Sequence, residues 1–335
     1  MTGKDIEHIE LNDIWESWWQ YKKGKKKTPE FYQFEYYLEN NLSKIYQDIT
    51  NRTYTHSEYR TFSVCDNKPR RITEACLKDK IVHRLVYDYL VSVYDESFDY
   101  DVWSGRKGKG LIAAIFRVQK LLFKFPKSYI WKADIRKFFD HIDHQILYEL
   151  IELKVNDEVF LFLIREIISS YSYKSGKGLP LGNLTSQIFA NIYLNEFDHF
   201  VRHNLKSDAY LRYGDDFILI MKDRAELCMA KKCAIEFLED KLQLFIKEND
   251  LIVKVNQGLK FLGMKISVDS VFLNKRNVKR IFKKLNSNNL PSYFGLIQRF
   301  GSEELTSNFH WKVFALLGKH KPSPSADNAD YCSDC

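Results

Sequence analysis

Two adjacent carboxylates stand in a short turn between two apolar runs of the chain. Asp215 and Asp216 form this turn, and the β-prone residues on either side predict a hairpin over 209–221. A purely structural Asx turn needs only one carboxylate, and two like charges held this closely repel each other. The pair therefore favours a site that binds a cation over a simple turn.

A third carboxylate ends a separate predicted strand. Residues 128–134 are predicted to be extended, and the segment finishes at Asp134. Carboxylates on neighbouring strand ends form a hard-oxygen site suited to Mg²⁺. Two such ions, about 3.5–4 Å apart, stabilise the attacking and leaving oxygens of a phosphoryl transfer. Diguanylate cyclases use a similar strand-turn-strand site, so spacing alone does not single out a polymerase.

The surrounding pattern predicts mixed helices and strands that would position these residues. Apolar periodicity predicts helices over about 5–21, 30–50, 77–94, 111–123, 143–153, 157–172, 184–203 and 223–241. Extended segments are predicted over 59–73, around a turn at 66–69, and at about 243–247, 251–255, 259–262 and 264–268. Asp143 and Asp223 are well placed to cap the helices that they precede.

Composition limits the class of protein. A chain of 335 residues is long enough for about two lobes. With 45% hydrophobic residues, 14 Gly and 7 Pro, it is not linker-rich or disordered. The formal net charge of +7 permits a polyanionic partner without requiring one. No apolar run is long enough for a membrane span and the N-terminus lacks a signal-peptide core, so we expect a cytoplasmic protein with no membrane partner.

Two basic segments bear on a nucleic-acid partner. Residues 271–300 contain seven Lys or Arg and no acidic residue, which favours contact with nucleic acid. The lysines of the run 22–27 fit either phosphate contact or a solvated loop.

The residues around the carboxylates resemble reverse transcriptases, and the resemblance extends from about residue 20 to 318. Five segments carry it in the family's order: 68–72 with 79–83 (fingers motif), 133–144 (first-carboxylate motif), 178–187 (in place of the usual Gln-Gly-x-x-x-Ser-Pro box), the Tyr213-Gly214-Asp215-Asp216 turn (catalytic box), and Phe261-Leu262-Gly263 (primer grip).

One motif of the chain is more similar to a particular subfamily than to the reverse transcriptase family as a whole. Residues 181–187 read Leu-Gly-Asn-Leu-Thr-Ser-Gln, with Gln187 in place of the usual Pro, and this is similar to the reverse transcriptases of diversity-generating retroelements. The resemblance implies error-prone cDNA synthesis on a template RNA for mutagenic retrohoming. Its implied partners are template RNA, the cDNA or primer, dNTPs and a small, basic, oligomeric accessory variability protein. The alternatives are an antiviral-defence, untemplated or other retroelement reverse transcriptase without mutagenic retrohoming, and a scaffold that binds RNA but does not polymerise.

The resemblance also implies an α+β right-hand polymerase with fingers, an antiparallel-sheet palm and a small helical thumb. The expected division is 1–128 (N-terminal helices and fingers), 129–145 (palm, first carboxylate strand), 146–183 (fingers and palm helices), 184–268 (palm with catalytic hairpin and primer grip), 269–320 (thumb) and 321–335 (flexible tail).

The same resemblance assigns roles to individual residues. Asp134, Asp215 and the backbone of Ile135 are expected to hold two Mg²⁺ ions, for which Mn²⁺ is a possible substitute, and Asp216 completes the acidic cluster. Residues expected to contact the dNTP are Arg70, Arg71, Arg106, Phe139, Leu181 and Gly182, and Asn183, Ser186 and Gln187 complete a motif linked to fidelity.

Several of these assignments have plain structural alternatives. Each arginine fits a solvated surface charge, and Leu181 fits simple packing against Leu179. Phe139 is expected beneath the nucleotide sugar, whereas Phe138 is expected in the core because neighbours on an extended segment face opposite ways.

The sequence departs from the family at one catalytic position. Many such polymerases place a Lys after the catalytic hairpin to protonate pyrophosphate, whereas this chain has Asp250 near that place. Lys247 and Lys254 are the possible substitutes.

Overall fold

The computed structural model describes residues 9–65 and 69–317 and contains two compact units. Parts of the predicted first helix, of the turn at 66–69 and of the thumb, and the whole tail at 321–335, lie outside the described residues. The first unit runs to Ala114 and continues over Ser128–Val253, and the second holds Ile115–Lys127 and the chain from Lys254 onward.

Three small sheets contain the strands. A two-stranded antiparallel sheet is made of β1 (Arg60–Cys65) and β2 (Pro69–Glu74). A four-stranded sheet, in the order β4-β5-β3-β6, is made of β3 (Tyr129–Asp134), β4 (Ala209–Tyr213), β5 (Asp216–Met221) and β6 (Leu251–Lys254). An antiparallel meander in the second unit is made of β7 (Leu259–Phe261), β8 (Met264–Ile266) and β9 (Val271–Leu273).

Helices make up most of the remaining regular structure. They are α1 (Leu11–Lys22), α2 (Pro29–Tyr36), α3 (Leu38–Thr50), α4 (Leu77–Tyr94), α5 (Leu111–Lys124), α6 (Phe138–His141), α7 (His144–Glu152), α8 (Glu158–Ser169), α9 (Leu184–His203), α10 (Arg224–Leu242), α11 (Lys275–Lys284), α12 (Leu290–Phe300) and α13 (Glu303–Leu317). Across residues 9–65 and 69–317, none of these helices combines the length and the apolar character that crossing a membrane requires.

Part of the core of the first unit lies between the four-stranded sheet and α9. Strand β5 is buried from Phe217 to Met221, and this continuous apolar run indicates a strand covered on both faces. The ring of Phe197 on α9 lies 5.1 Å from that of Phe217. Trp131 of β3 makes an edge contact with Phe217 at 5.2 Å, so three elements meet at one aromatic cluster.

Local signals explain several helix ends. Asp143 accepts hydrogen bonds from two backbone N–H groups at the start of α7, and Asp223 does the same for α10, which confirms both predicted caps. The observed bounds of α4 and α9 equal the predicted ones.

The helical pattern predicted over 30–50 is confirmed, in the form of two helices separated at Tyr37. Two expectations about local structure were wrong. Residues 243–247 form no strand: Ile246 makes only an isolated bridge, because this segment meets just the end of β3. Phe138 and Phe139 lie on the single helical turn α6, which starts after the left-handed Lys137 (φ 45°), and not on an extended segment.

Candidate catalytic site

Strand register brings the three predicted carboxylates together. Strands β3 and β5 pair antiparallel with Asp134 opposite Asp216, and Asp215 lies in the adjoining turn. The backbone N–H of Ile135 donates to the carbonyl of Asp215 at 3.2 Å, which ties the turn to the end of β3. The arrangement that the sequence predicted is therefore present, while the roles of these residues remain predictions.

The electrostatics of this cluster are unfavourable for three ionised carboxylates. Burial, followed by the charges of Asp134 and Asp216, raises the pKa of Asp215 to about 7. Burial, followed by the charge of Asp134, raises the pKa of Asp216 to about 6. A site of this kind gains from any cation that lies between its oxygens.

The neighbourhood of Asp134 fits a metal ion. Lys247 Nζ lies 2.5 Å from Asp134 Oδ2, and the Lys247 N–H donates to the Asp134 carbonyl at 2.9 Å. Asp134 Oδ1 is buried and has no hydrogen-bond partner in the part of the chain that the structure describes. One carboxylate oxygen therefore faces a protein cation, and the other is a buried acceptor suited to a metal ligand.

A second charged cluster, on the β4–β5 hairpin, stabilises the turn that carries Asp215. The side chain of Arg212 on β4 is buried and forms a two-pronged ion pair with Asp198 of α9, at 2.8 and 2.6 Å. Arg212 also donates to the Gly214 carbonyl at 3.1 Å and to Asn191 at 3.2 Å. The tight turn that carries Asp215 is thus fixed by a buried guanidinium, and the sequence analysis did not single this residue out.

The glycine-rich loop before α5 does not offer Arg106 to a ligand. The three guanidinium nitrogens of Arg106 donate to Asp95 Oδ1, the Asp95 carbonyl and the Asp99 carbonyl, at 2.8–2.9 Å. Lys109 donates to the carbonyl of Tyr100, whereas Lys107 is exposed. We therefore do not retain Arg106 as a triphosphate contact, because each of its three guanidinium nitrogens already donates to a protein acceptor.

Other expected dNTP contacts lie on β2 and beside α6. Arg71 is an exposed residue of β2, and the side chain of Arg70 lies outside the described part of the structure. Phe138 is buried, and the half-buried ring of Phe139 lies 5.5 Å from it. The Phe139 carbonyl accepts a hydrogen bond from Leu179 at 2.8 Å, which joins α6 to the 178–187 motif.

The 178–187 motif is a loop that leads into α9. Gly182 has φ +115°, and a Cβ there would lie 2.9 Å from Ile72 Cγ2, so the loop approaches β2 closely. Ser186 Oγ donates to the Pro180 carbonyl at 2.7 Å, and Gln187 is exposed. Thr185 Oγ1 lies 2.6 Å from Nδ1 of the buried His83, so α4 also anchors the motif.

Asp250 has a structural role. Its Oδ2 accepts a hydrogen bond from Trp131 Nε1 at 2.6 Å and pairs with Lys231. Lys247 is the cation that lies against Asp134, and Lys254 ends β6.

The predicted primer grip lies in the second unit. Phe261 is buried, Leu262 has φ 49°, and Gly263 has φ 80°. The Gly263 carbonyl accepts a hydrogen bond from Asn277 Nδ2 at 2.9 Å, and a Cβ on Gly263 would collide with that nitrogen. The positive φ and this close contact both favour glycine here, and the primer contact remains a prediction.

The amino-acid sequence matches a known protein family and several curated proteins. The family described as "Reverse transcriptase (RNA-dependent DNA polymerase)" matches residues 58–266. The group II intron-encoded protein LtrA of Lactococcus lactis is 26% identical, and the match covers 75% of this chain and 53% of that protein. Protein YkfC of Escherichia coli is 24% identical, with coverage of 60% and 64%. The chain thus spans about half the length of the intron-encoded relative.

Two solved structures share the fold. Telomerase from Candida albicans, in complex with a fragment of telomeric RNA, matches with a TM-score of 0.51 at 14% identity, covering 86% of this chain and 61% of that chain. Apo telomerase from Candida tropicalis matches with a TM-score of 0.50 at 14% identity, covering 78% and 57%. The likeness concerns the fold alone, and it confirms the predicted right-hand polymerase fold.

Proposed function

Because the chain belongs to the reverse transcriptase family, we propose that it copies a template RNA into cDNA by two-metal nucleotidyl transfer. The observation that carries this proposal is the register that places Asp134 opposite Asp216 and beside Asp215. Crowded, buried carboxylates with raised pKa values are typical of a site built for divalent cations.

The residues present fit such ions. Asp134, Asp215 and the backbone carbonyl of Ile135 would hold two Mg²⁺, with Mn²⁺ as a substitute, and Asp216 would complete the negative charge. Bound ions would stabilise the attacking and leaving oxygens of the transfer. The buried acceptor Asp134 Oδ1 supports this assignment, because a buried carboxylate oxygen normally has a donor or a metal.

The incoming nucleotide would lie against the surface that β2 and the loop before α9 form together. Arg71, with Arg70, would bind phosphate oxygens, because a guanidinium forms paired bonds to them. Phe139 would select dNTP over rNTP by excluding a 2′-hydroxyl, and Leu181 and Gly182 would contact the nascent pair. Phe261, Leu262 and Gly263 would contact the primer strand, within the fingers, palm and thumb division expected from the sequence.

The biological setting that we infer is mutagenic retrohoming by a diversity-generating retroelement. Its support is the Leu-Gly-Asn-Leu-Thr-Ser-Gln form of residues 181–187, with Gln187 where the family usually has Pro. The partners in this setting are the template RNA and a small, basic, oligomeric accessory variability protein. A host genome that carries near-repeats differing only at adenines beside this gene would support the setting, and their absence would favour an antiviral-defence enzyme.

Primer extension on an RNA template tests the activity. Asp134→Ala and Asp215→Ala should each lower dNTP incorporation by about 10³-fold or more, because a metal ligand acts directly on the transition state. RNA binding, measured by filter retention, should persist. Asp240→Ala, at an exposed carboxylate of α10, is the matched control and should extend primers normally. Near-normal extension by either site variant contradicts the assignment.

A further inference from the structure

The cap residue of α9 uses its side chain in an unusual way. Asn183 precedes α9 with an extended backbone (φ −96°, ψ 149°), where an Asn side chain normally accepts a hydrogen bond from the first turn. Within the described residues of α9, no such bond is made. The side chain is buried, with Nδ2 donating to the Thr73 carbonyl at 2.8 Å and Oδ1 accepting from the Ala75 N–H at 3.1 Å.

These contacts continue a ladder that the backbone begins. The Thr73 N–H donates to the Leu181 carbonyl at 2.9 Å. In a parallel pair, one residue donates to a carbonyl on its neighbour strand and accepts from the N–H two residues further along. Thr73 follows this order with Leu181 and Asn183, except that the Asn183 amide replaces the peptide N–H. The Ala75 N–H forms the next hydrogen bond of the ladder. It donates to the side-chain Oδ1 of Asn183 and not to the peptide carbonyl of Asn183.

The side-chain amide therefore substitutes for a peptide group. The backbone of Asn183 turns into α9 and cannot continue along β2, whereas its amide offers the same donor and acceptor. Thr73 and Ala75 are 3% and 2% exposed, so water has little access to their backbone groups. Without the Asn183 amide, a buried carbonyl and a buried N–H would lose their partners.

We propose that Asn183 is a positioning residue that holds β2 and the 181–182 loop as one body and thereby sets the affinity for the incoming dNTP. The proposal rests on the proposed function, in which Arg71 on β2 and Leu181 on the loop contact the same nucleotide. Among the described residues, three hydrogen bonds join these segments, and two of them come from Asn183. When it is lost, the two halves of the nucleotide site no longer have a fixed separation.

The two hydrogen bonds from the Asn183 amide to Thr73 and Ala75 are called the Asn183 clamp. Hydrogen exchange tests this clamp without any need for enzyme activity. In Asn183→Ala, the Ala75 amide should exchange at least about tenfold faster, because its acceptor is gone. In Asn183→Asp, an acceptor for Ala75 remains but the donor to Thr73 is lost, so exchange at Ala75 should rise much less. Unchanged exchange at Ala75 in Asn183→Ala overturns the clamp.

Single-nucleotide incorporation tests the positioning role, with dTTP on a poly(rA) template and an oligo(dT) primer. Asn183→Ala and Asn183→Asp should each raise the KM for dTTP about tenfold while kcat stays within about twofold. Tyr193→Phe is the control, because the Tyr193 hydroxyl donates to the Leu242 carbonyl at 2.7 Å, from the same helix but away from β2. Its KM should not change.

The outcomes separate the two proposals. An equal rise in KM for Tyr193→Phe, or a loss confined to kcat in the Asn183 variants, overturns the positioning role in favour of general destabilisation. Wild-type protein that fails to extend primers overturns the proposed function and this role together, while the exchange data still decide whether the clamp exists.

Discussion

Two charged clusters lie on the same hairpin and differ in how completely their charges are matched. Behind the hairpin, Arg212 and Asp198 are both buried and pair through two short hydrogen bonds. Tyr210 adds a third bond to Asp198 at 2.6 Å. At the turn, three carboxylates lie close together, Asp134 pairs with Lys247, and Asp134 keeps a buried oxygen that lacks a partner among the described residues.

The first cluster is an ion pair whose charges are matched within the protein, and the second is a group of carboxylates suited to bind a cation. The Arg212 cluster is complete within the protein, so it holds the turn without outside help. The Asp134 cluster has excess negative charge, and the raised pKa values of Asp215 and Asp216 report this excess. The first cluster should therefore control stability, and the second should control chemistry.

Removing Arg212 should have the largest effect on stability. Arg212→Met leaves Asp198 buried and unpaired, so we expect a loss of about 3–5 kcal/mol in the free energy of unfolding. Urea denaturation measures it. Arg224→Met, at an exposed arginine, should change stability by less than about 0.5 kcal/mol. A loss below about 1 kcal/mol for Arg212→Met would mean that the buried pair does not brace the fold.

In the turn cluster, removing a charge should raise the free energy of unfolding when no metal is added, whereas removing Arg212 lowers it. Because the pKa of Asp215 is raised to about 7, folding favours its protonated form. Its contribution to stability is full below its unfolded pKa of about 4 and is lost as the pH rises through about 7. Asp215→Asn in chelator should therefore gain on the order of 2 kcal/mol at pH 8 and almost nothing at pH 4.

Thermal unfolding at the two pH values checks this prediction. Adding Mg²⁺ at pH 8 should stabilise the wild-type protein more than the variant, because the variant has lost a ligand. A gain that is equal at both pH values would show that crowding of charge is not its cause.

The contrast between a residue that controls chemistry and one that controls stability is also expected for the adjacent Phe139 and Phe138. Phe139→Ala should raise the ratio of rNTP to dNTP incorporation at least tenfold, or roughly 1.4 kcal/mol, because space opens for a 2′-hydroxyl. Phe138→Ala, at the buried neighbour, should lower stability and leave this ratio unchanged. Single-nucleotide extension measures both, and an unchanged ratio for Phe139→Ala would assign sugar selection to another residue.

The smallest effect is expected at Leu181, which is partly exposed beside the buried Leu179. Most reverse transcriptases have Gln here, and a hydrogen bond that checks pair geometry contributes about 0.5–1.5 kcal/mol. Leu181→Gln should lower misincorporation several-fold opposite template adenine, more than opposite the other bases. Sequencing of cDNA measures the rates, with the exposed Leu153→Gln as control. An unchanged adenine error rate in active enzyme would mean that Leu181 only packs the loop.

Much of the fold was predictable because its signals are local. The hairpin at 209–221 and helices α4 and α9 follow from strand-like runs and apolar periodicity in consecutive residues. The meeting of Asp134 with the hairpin turn was also predictable, since carboxylates at the ends of neighbouring strands come together.

The partners of the charged residues were not predictable in this way. The sequence predicted that Arg106 contacts the triphosphate. Its hydrogen bonds to Asp95 and Asp99 depend on the conformation of the loop before α5, which local patterns do not reveal. The Asn183 clamp depends on an approach between segments far apart in sequence. An arginine within an apolar strand was the one available signal for the Arg212 cluster, because burying such a charge requires a partner.

The acid at position 250 has a consequence for engineering. A designer who restores the family's usual lysine with Asp250→Lys would place two ammonium groups side by side, because Lys231 pairs with this carboxylate. The same change would take the acceptor from the Trp131 indole, whose ring packs on Phe217 under the catalytic strands. Asp250→Lys would thus weaken the packing of Trp131 beside the strands that carry the carboxylates, and a useful proton donor is better sought on another element.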